Sequence, residues 1–218
     1  MTRRANSVLA SGDLDRIDVA TKLRFAEDFY RRRDLRPRFQ VSPATPPALV
    51  ALLDRGGYDI DAPTFVQTAT IADVLLRTGE APSFPVELTD SFTGSWLAID
   101  TASEGEPQHS PVRRGMLERI RPLTCYALLR IDGTPAAVSL GVLERGWVGV
   151  YSVATLPQFR RRGASTAIVR SLAQWAGQNG ATSMYLAVME RNHTAQSVYA
   201  RAGFRTSYSY HYREAPHS

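Results

Sequence analysis

The stretch from Trp147 to Gly180 changes its hydrophobic period once, and that change constrains the fold more than any other feature. "WVGVYSVATL" is rich in β-branched and aromatic residues, the composition of a strand. Pro157 cannot donate to a sheet ladder and ends it. From Arg162 the spacing switches: Ala164, Ala167, Ile168, Leu172, Trp175 and Ala176 recur at three and four residues, which predicts an amphipathic helix. Asn179 and Gly180 supply its stop. Upstream, "CYALLRI" and "AAVSLGVL" flank the turn "DGT" and predict a hairpin, and "ERG" turns the chain into the Trp147 strand. Downstream, "SMYLAVM" reads as a strand. Asn192 to Ala202 reads as a helix with Ala195, Val198, Tyr199 and Ala202 along one face, ended by Gly203. "RTSYSYHYR" alternates as a last strand. Strands followed by helix, strand, helix and strand imply an α/β or α+β sheet with helices packed on it.

The switch point carries "LPQFRRRGAST", Leu156 to Thr166. Three arginines gather where a helix begins, the end that already bears about half a positive charge and has unpaired N–H groups. A solvated basic turn is one reading. The other is an anion: a phosphate or pyrophosphate satisfies both the amides and the dipole. Gly163 lets the backbone approach it closely, Ser165 and Thr166 offer hydroxyl donors, and the arginines add charge-assisted hydrogen bonds. The stretch lacks the G-K-[ST] of a Walker loop and the G-x-G-x-x-G of a dinucleotide site, so a different phosphorylated cofactor is expected.

Composition bounds the rest. The chain has 218 residues, 44% hydrophobic and 22% charged, as expected of a soluble globular protein. No apolar run reaches the roughly 18 residues of a membrane span, and "MTRRANSVLA" lacks the apolar core of a secretory signal. Cys125 is the single cysteine, set in the apolar run "LTCYALL"; no internal disulfide is possible, and a buried thiol in a reducing cytoplasm is the reading. The net charge is +5, and Lys22 is the only lysine. A basic surface favours acidic ligands. No helix-turn-helix, zinc-finger or aromatic RNA-binding signature accompanies it, so a nucleic-acid partner is not expected.

"VATLPQFRRRGAS" resembles the cofactor-binding motif of the GNAT (GCN5-related) N-acetyltransferase superfamily, [QR]-x-x-G-x-[GA], with Arg160, Gly163 and Ser165 at the defined positions. Ser165 departs from the usual Gly or Ala. "NHTAQSVYARAGF", Asn192 to Phe204, resembles the family's N-x-x-A-x-x-x-Y-x-x-x-G-F stretch throughout. Together they cover roughly residues 85 to 215. The resemblance implies a mixed, mostly antiparallel sheet with a splayed strand pair and helices on both faces. It also implies transfer of an acetyl group from acetyl-CoA to an amine by direct attack, without a covalent enzyme intermediate and without a metal. On this reading Val153, Ala154 and Thr155 bind the pantetheine arm and polarise the thioester. The amides of Arg161, Arg162, Gly163, Ala164, Ser165 and Thr166 hold the pyrophosphate, with Arg160 beside them. Asn192 contacts the cofactor arm, and Tyr199 protonates the departing thiolate, a role that suits a phenol of pKa about 10; its other reading is a core aromatic.

The general base is less legible. Glu190, just after "SMYLAVM", is placed first, with a water relay as the alternative; Glu144 reads as too remote, His193 as surface or cap, and Tyr151 as sharing a strand face with Val153 and lining the acceptor pocket. The acceptor is a small-molecule amine or a protein amino group. A non-catalytic acyl-CoA binder or sensor of the same fold is the alternative function, and a monomer or homodimer is expected.

Before this region, "RRANSVLA" reads as a strand, Asp13 to Arg33 as a helix, "RFQV" as a strand, "PPALVALLDRGGY" as a helix and "TFVQTATI" as a strand. That order repeats the C-terminal one, with Gly57-Tyr58 on Gly203-Phe204 and Leu53 on Tyr199. A partial second GNAT-like unit without a cofactor site is therefore expected over residues 1–82, and the catalytic domain over 83–218; an unrelated extension of similar element order is the other reading. "RRRDLRPR" is a solvated turn, "RTGEAPSFPVELTDSF" the junction, and "TASEGEPQHSPVRRG", Thr101 to Gly115, a mobile substrate loop or plain disorder.

Overall fold

The computed structural model describes residues 6–11, 17–79, 82, 84–103 and 110–216. Packing divides the chain into two compact units. The first comprises Met1–Val66, Val188–Asn192 and Thr206–Ser218, the second Gln67–Ala187 and His193–Arg205. The units are interleaved along the chain rather than divided by a single cut. The chain's last strand pairs with an early one, and residues just after Val66 pack in the second unit.

In the second unit, β4 (Val86–Thr89), β5 (Leu123–Ile131), β6 (Thr134–Glu144) and β7 (Trp147–Thr155) form antiparallel neighbours. β8 (Ser183–Met189) adds to β7 in parallel. The order β8-β7-β6-β5-β4 is that of a mixed, mostly antiparallel sheet. Alternation along β5 sorts its side chains between two cores. Tyr126 and Leu128 join Trp96, Leu97 and Ile99 of α4 (Gly94–Ser103). Leu129 and Ile131 instead join Ala164, Ala167 and Ile168 of α6 (Ala164–Gln178). Helices thus cover both faces. The DGT hairpin forms as its turn residues dictate, with Asp132 and Gly133 both at positive φ, the geometry of a tight hairpin turn.

The first unit orders its strands β1 (Val8–Leu9), β2 (Arg38–Val41), β9 (Arg205–Glu214) and β3 (Asp59–Thr70). β1 and β2 are parallel, β2 and β9 antiparallel. α1 (Val19–Arg31) and α2 (Pro47–Arg55) contribute Leu23, Ala26, Leu49 and Leu53 to a core around Phe39 and Tyr58. Of the predicted first strand and helix, residues 3–5 and 13–16 lie outside the described residues.

Two stretches read as irregular turn out to be ordered in part. The supposed junction holds the end of α3 (Ile71–Arg77) and all of β4. Of the predicted loop from Thr101 to Gly115, residues 104–109 lie outside the described residues; the rest is helix, ending α4 at Ser103 and beginning α5 (Ser110–Leu117). Both were short, Pro- or Gly-bearing segments whose formation depends on tertiary burial rather than propensity.

One gapless register relates α1-β2-α2 to α6-β8-α7, where α7 is His193–Arg201. It sets α2 on α7 residue for residue and the start of β3 on the start of β9. The helix endings share their closing bonds. Leu35 N–H donates to Tyr30 O at 3.1 Å as Ala181 N–H does to Ala176 O at 3.0 Å. Tyr58 N–H reaches Leu53 O, and Phe204 N–H reaches Tyr199 O, both at 3.0 Å. Residues Asp34, Gly180, Gly57 and Gly203 take the left-handed conformation at these ends. The register breaks only before the first helix. Val8 faces Phe39 where Gly149 faces Tyr185, so the first unit has a shorter path from strand to helix.

Candidate active site

The parallel ladder between β7 and β8 runs from Trp147 to Val150 and no further. Beyond it, the edge of β7 over Val153, Ala154 and Thr155 has no ladder partner in β8, which is the splayed pair the resemblance implies. A kink sits at the parting point. On β6, Leu140 faces Tyr151 and Val138 faces Ala154, so β7 carries one extra residue opposite Ser139. Ser152 takes φ 54°, left-handed for a residue with a side chain.

Side chains from two helices hold this kink. Arg113 of α5 donates from Nε to Asp100 Oδ2 at 2.7 Å and from Nη2 to Asp100 Oδ1 at 3.2 Å. The same Nη2 reaches Ser152 Oγ at 2.6 Å. Asp100 of α4 is only 1% exposed, so the guanidinium compensates a buried carboxylate. Ser139 Oγ donates to Tyr151 O at 2.9 Å, and Trp96 Nε1 donates to Ser139 O at 3.2 Å. The bulge is thus bonded on each side. The left-handed Ser152 interrupts the regular two-residue alternation between Tyr151 and Val153. Tyr151 meets Tyr185 of β8, hydroxyl to hydroxyl at 2.6 Å. A Cβ on Gly149 would lie 2.7 Å from both rings, so glycine makes room for this phenol pair.

After β7, Pro157–Phe159 forms one 3-10 turn and the chain enters α6 through Gly163 at φ 87°. A Cβ there would also meet the Pro82 ring at 3.2 Å. No side chain caps the helix. Its first internal bond is Ala167 N–H to Gly163 O at 3.0 Å, which leaves the amides of Ala164, Ser165 and Thr166 without an acceptor among the described residues. Arg160 and Arg161 are exposed beside them, and Arg162 keeps one ion pair, to Asp132 at 3.5 Å. Thr155 Oγ1 and Ser165 Oγ lie 3.2 Å apart, and Arg160 Nε donates to Thr155 O at 3.3 Å. The strand end and the helix entrance therefore converge on one place. Free amides, a helix dipole and exposed guanidinium groups are thus gathered at one place, a combination that suits an anion.

Tyr199 lies on α7 in the same unit, 8% exposed and edge-on to Phe204 at 5.9 Å. Its hydroxyl has no hydrogen-bond partner among the described residues. Burial pushes the phenol up to about 12, so it remains a proton donor throughout the neutral range. Glu190 and Asn192 are both exposed and fall in the Val188–Asn192 segment of the first unit; Glu190 N–H bonds Pro63 O at 2.9 Å. Packing does not group them with Tyr199. Cys125 is buried and free, its thiol pushed up to about 12 by burial, which makes it inert. No group of metal-ligating residues occurs among the described residues, and none of their helices is long and apolar enough to cross a membrane.

A parallel strand pair splayed at a bulge, followed by an uncapped basic helix entrance and a buried tyrosine on the next helix, defines an acetyltransferase of GNAT type. The chain belongs to the family described as "Probable histone acetyltransferase Rv0428c C-terminal", whose model matches residues 1–213. It is 29% identical over 216 residues to the Uncharacterized N-acetyltransferase YobR of Bacillus subtilis (strain 168), covering 98% of this chain and 85% of that protein. Among solved structures, a GCN5-related N-acetyltransferase from Kribbella flavida matches with TM-score 0.67 at 20% identity, over 98% of this chain and 79% of that one. A tandem GNAT protein from the clavulanic acid biosynthesis pathway matches with TM-score 0.68 at 14% identity, over 91% and 70%. At these identities the structures speak for the fold.

Proposed function

We propose that the protein transfers an acetyl group from acetyl-CoA to a primary amine by direct attack. The observation that carries this reading is the uncapped entrance of α6, with three amides free among the described residues at a left-handed glycine, beside the end of β7 that has no ladder partner in β8. The diphosphate of coenzyme A satisfies those amides, with Arg160, Arg161 and Arg162 around it. Asn192 contacts the cofactor arm. Val153, Ala154 and Thr155 offer the strand edge to the pantetheine amides and a backbone donor to the thioester oxygen. The amine nitrogen attacks the carbonyl carbon, the C–S bond breaks, and the thiolate takes the proton of Tyr199. The new amide loses its extra proton to Glu190 or to water, and solvent reprotonates the phenol. The products are the amide and coenzyme A.

The Asp100–Arg113–Ser152 contacts serve to fix where the strand edge points, while Tyr151 and Tyr185 line the acceptor side with polarisable rings joined by one hydrogen bond. The acceptor is a small-molecule amine or a protein amino group. We assign the first unit no cofactor site and read it as a partial second GNAT-like unit, supported by the shared register and helix endings. The free, buried thiol of Cys125 suits a reducing cytoplasm.

Exposure of Glu190 favours a second reading, an acyl-CoA binder with no turnover. Calorimetric titration with acetyl-CoA, coupled to thiol release against a panel of amines, separates the two. Binding with turnover supports the transferase, and binding without turnover on any amine supports the sensor. No binding at physiological salt overturns both.

A further inference from the structure

The first unit contains a cavity of about 170 Å³ between β1, α1, β2 and α2. Its wall is apolar, built from Val8 and Ala10 at the end of β1, Val19, Leu23 and Ala26 of α1, and Phe39 of β2. β1 and β2 share only the pairs Val8–Phe39 and Leu9–Gln40 before parting, which opens the space. Ser11 stands exposed at the rim.

Lys22 also lines this cavity. It is the single lysine of a chain with 26 Lys and Arg residues, it is half-buried, and its ammonium has no hydrogen-bond or ion-pair partner among the described residues. In the shared register Lys22 stands where the second unit has Ile168, which is fully buried at 0% exposure. A half-buried lysine beside an apolar wall lays its alkyl stem along it and keeps its ammonium in water unless an anion meets it. Asp18, one turn earlier, does not: its Oδ1 accepts from Thr21 N–H at 2.9 Å. That carboxylate also occupies the N-terminus of α1, the place a phosphate would need. The anion that fits is therefore small and singly charged, on a hydrocarbon body. A cavity of ~150 Å³ accommodates a benzene-sized molecule.

We propose that this cavity binds a small apolar carboxylic acid, with its carboxylate on the Lys22 ammonium and its hydrocarbon body between α1 and the β1–β2 pair. The inference stands apart from the acyl-transfer reading, since it uses none of the same residues.

The test uses the full chain and a panel of benzoate, 3-methylbutanoate and hexanoate, with benzamide as the neutral match, each followed by calorimetry. At least one acid binds, and the Lys22→Met variant loses about tenfold or more of that affinity, as for a charge-assisted hydrogen bond. Benzamide binds no better to wild type than to Lys22→Met. Ala26→Leu, which fills the cavity, abolishes binding of the acids. A second measurement needs no variant: acetic anhydride labels Lys22, and mass spectrometry of its peptide reads the labelling. A bound acid slows this labelling at least threefold. Failure of every acid to bind, equal binding of benzoate and benzamide, or labelling that ignores the acid overturns the proposal.

Discussion

Two helices of this chain begin after a strand that runs parallel to the strand following the helix, and they treat their first amides in opposite ways. α1 opens at Asp18, whose carboxylate accepts from Thr21 N–H and closes the entrance with the chain's own negative charge. α6 opens at Gly163, left-handed and without a side-chain cap, among arginines. The helices share a register and their endings share hydrogen bonds, yet the path into α1 lacks the length that carries the kink at Ser152 and the arginine turn in the other unit. Two units can thus share a register while only one opens its helix without a side-chain cap. On the proposed function, what separates the cofactor-binding unit from the other is a few residues before a helix, not the layers around it.

The sharpest way to break this contrast is to give α6 the cap of α1. Gly163→Asp places a carboxylate at the entrance and a Cβ against Pro82. It should weaken acetyl-CoA binding by about a hundredfold or more, since it both competes for the amides and repels the diphosphate. Calorimetry reads it, and unchanged affinity would mean that the diphosphate lies elsewhere. Next in size is Tyr199→Phe. Turnover should fall by about 10²-fold while affinity for acetyl-CoA stays within twofold. Thermal stability should hold, because the hydroxyl has no hydrogen-bond partner among the described residues to lose. The phenol sits near 12. Raising the pH deprotonates it only there, so the pH–rate profile should show no alkaline limb from this group below about pH 11. Parallel losses of turnover and cofactor affinity would assign the hydroxyl a structural role instead.

One side of the contrast, the Gly163 entrance, is legible in the residues, and so are the elements around it. β2 is the stretch "RFQV" as read, and the helix from Ala164 to Gln178 follows the three-and-four spacing closely. Periodicity works there because burial on one face fixes both elements. The Gly163 entrance was legible because glycine and charge cluster at a period change. The clamp on the kink was not. Asp100 and Arg113 are thirteen residues apart, and the stretch between them reads as a polar loop. The one signal was an aspartate in the otherwise apolar "WLAID" of α4. The left-handed Ser152 had no signal at all, since a serine in a strand pattern predicts extended backbone. The interleaving of the two units has no local signal either: β9 pairs with β2 across most of the chain, and no local pattern announces such a partner.

That clamp supplies the third prediction. Asp100→Ala leaves the Arg113 guanidinium half-buried without its carboxylate, and should cost about 3 kcal/mol in urea unfolding. Turnover should fall more than acetyl-CoA affinity, because the diphosphate entrance lies beyond the kink while the thioester edge begins at it. Arg113→Lys, which keeps the charge but not the fork, should retain stability better than turnover. If both variants changed stability alone, the kink would be packing and not positioning.

The smallest effect belongs to the other entrance, and it is the control on which the comparison turns. Asp18→Ala removes the α1 cap and should lower stability slightly, read by urea unfolding. The carboxylate is held below its usual range by the Thr21 hydrogen bonds. In the wild type this contribution is therefore present above the ordinary aspartate range and is lost as pH falls through the lowered value. The variant should lack that acid-side loss. Acetyl-CoA binding should be unchanged, because uncapping α1 restores neither the arginines nor the missing length before the helix. Were Asp18→Ala to create a second binding event in calorimetry, the cap alone would be what silences the first unit, and the shortened path would be incidental.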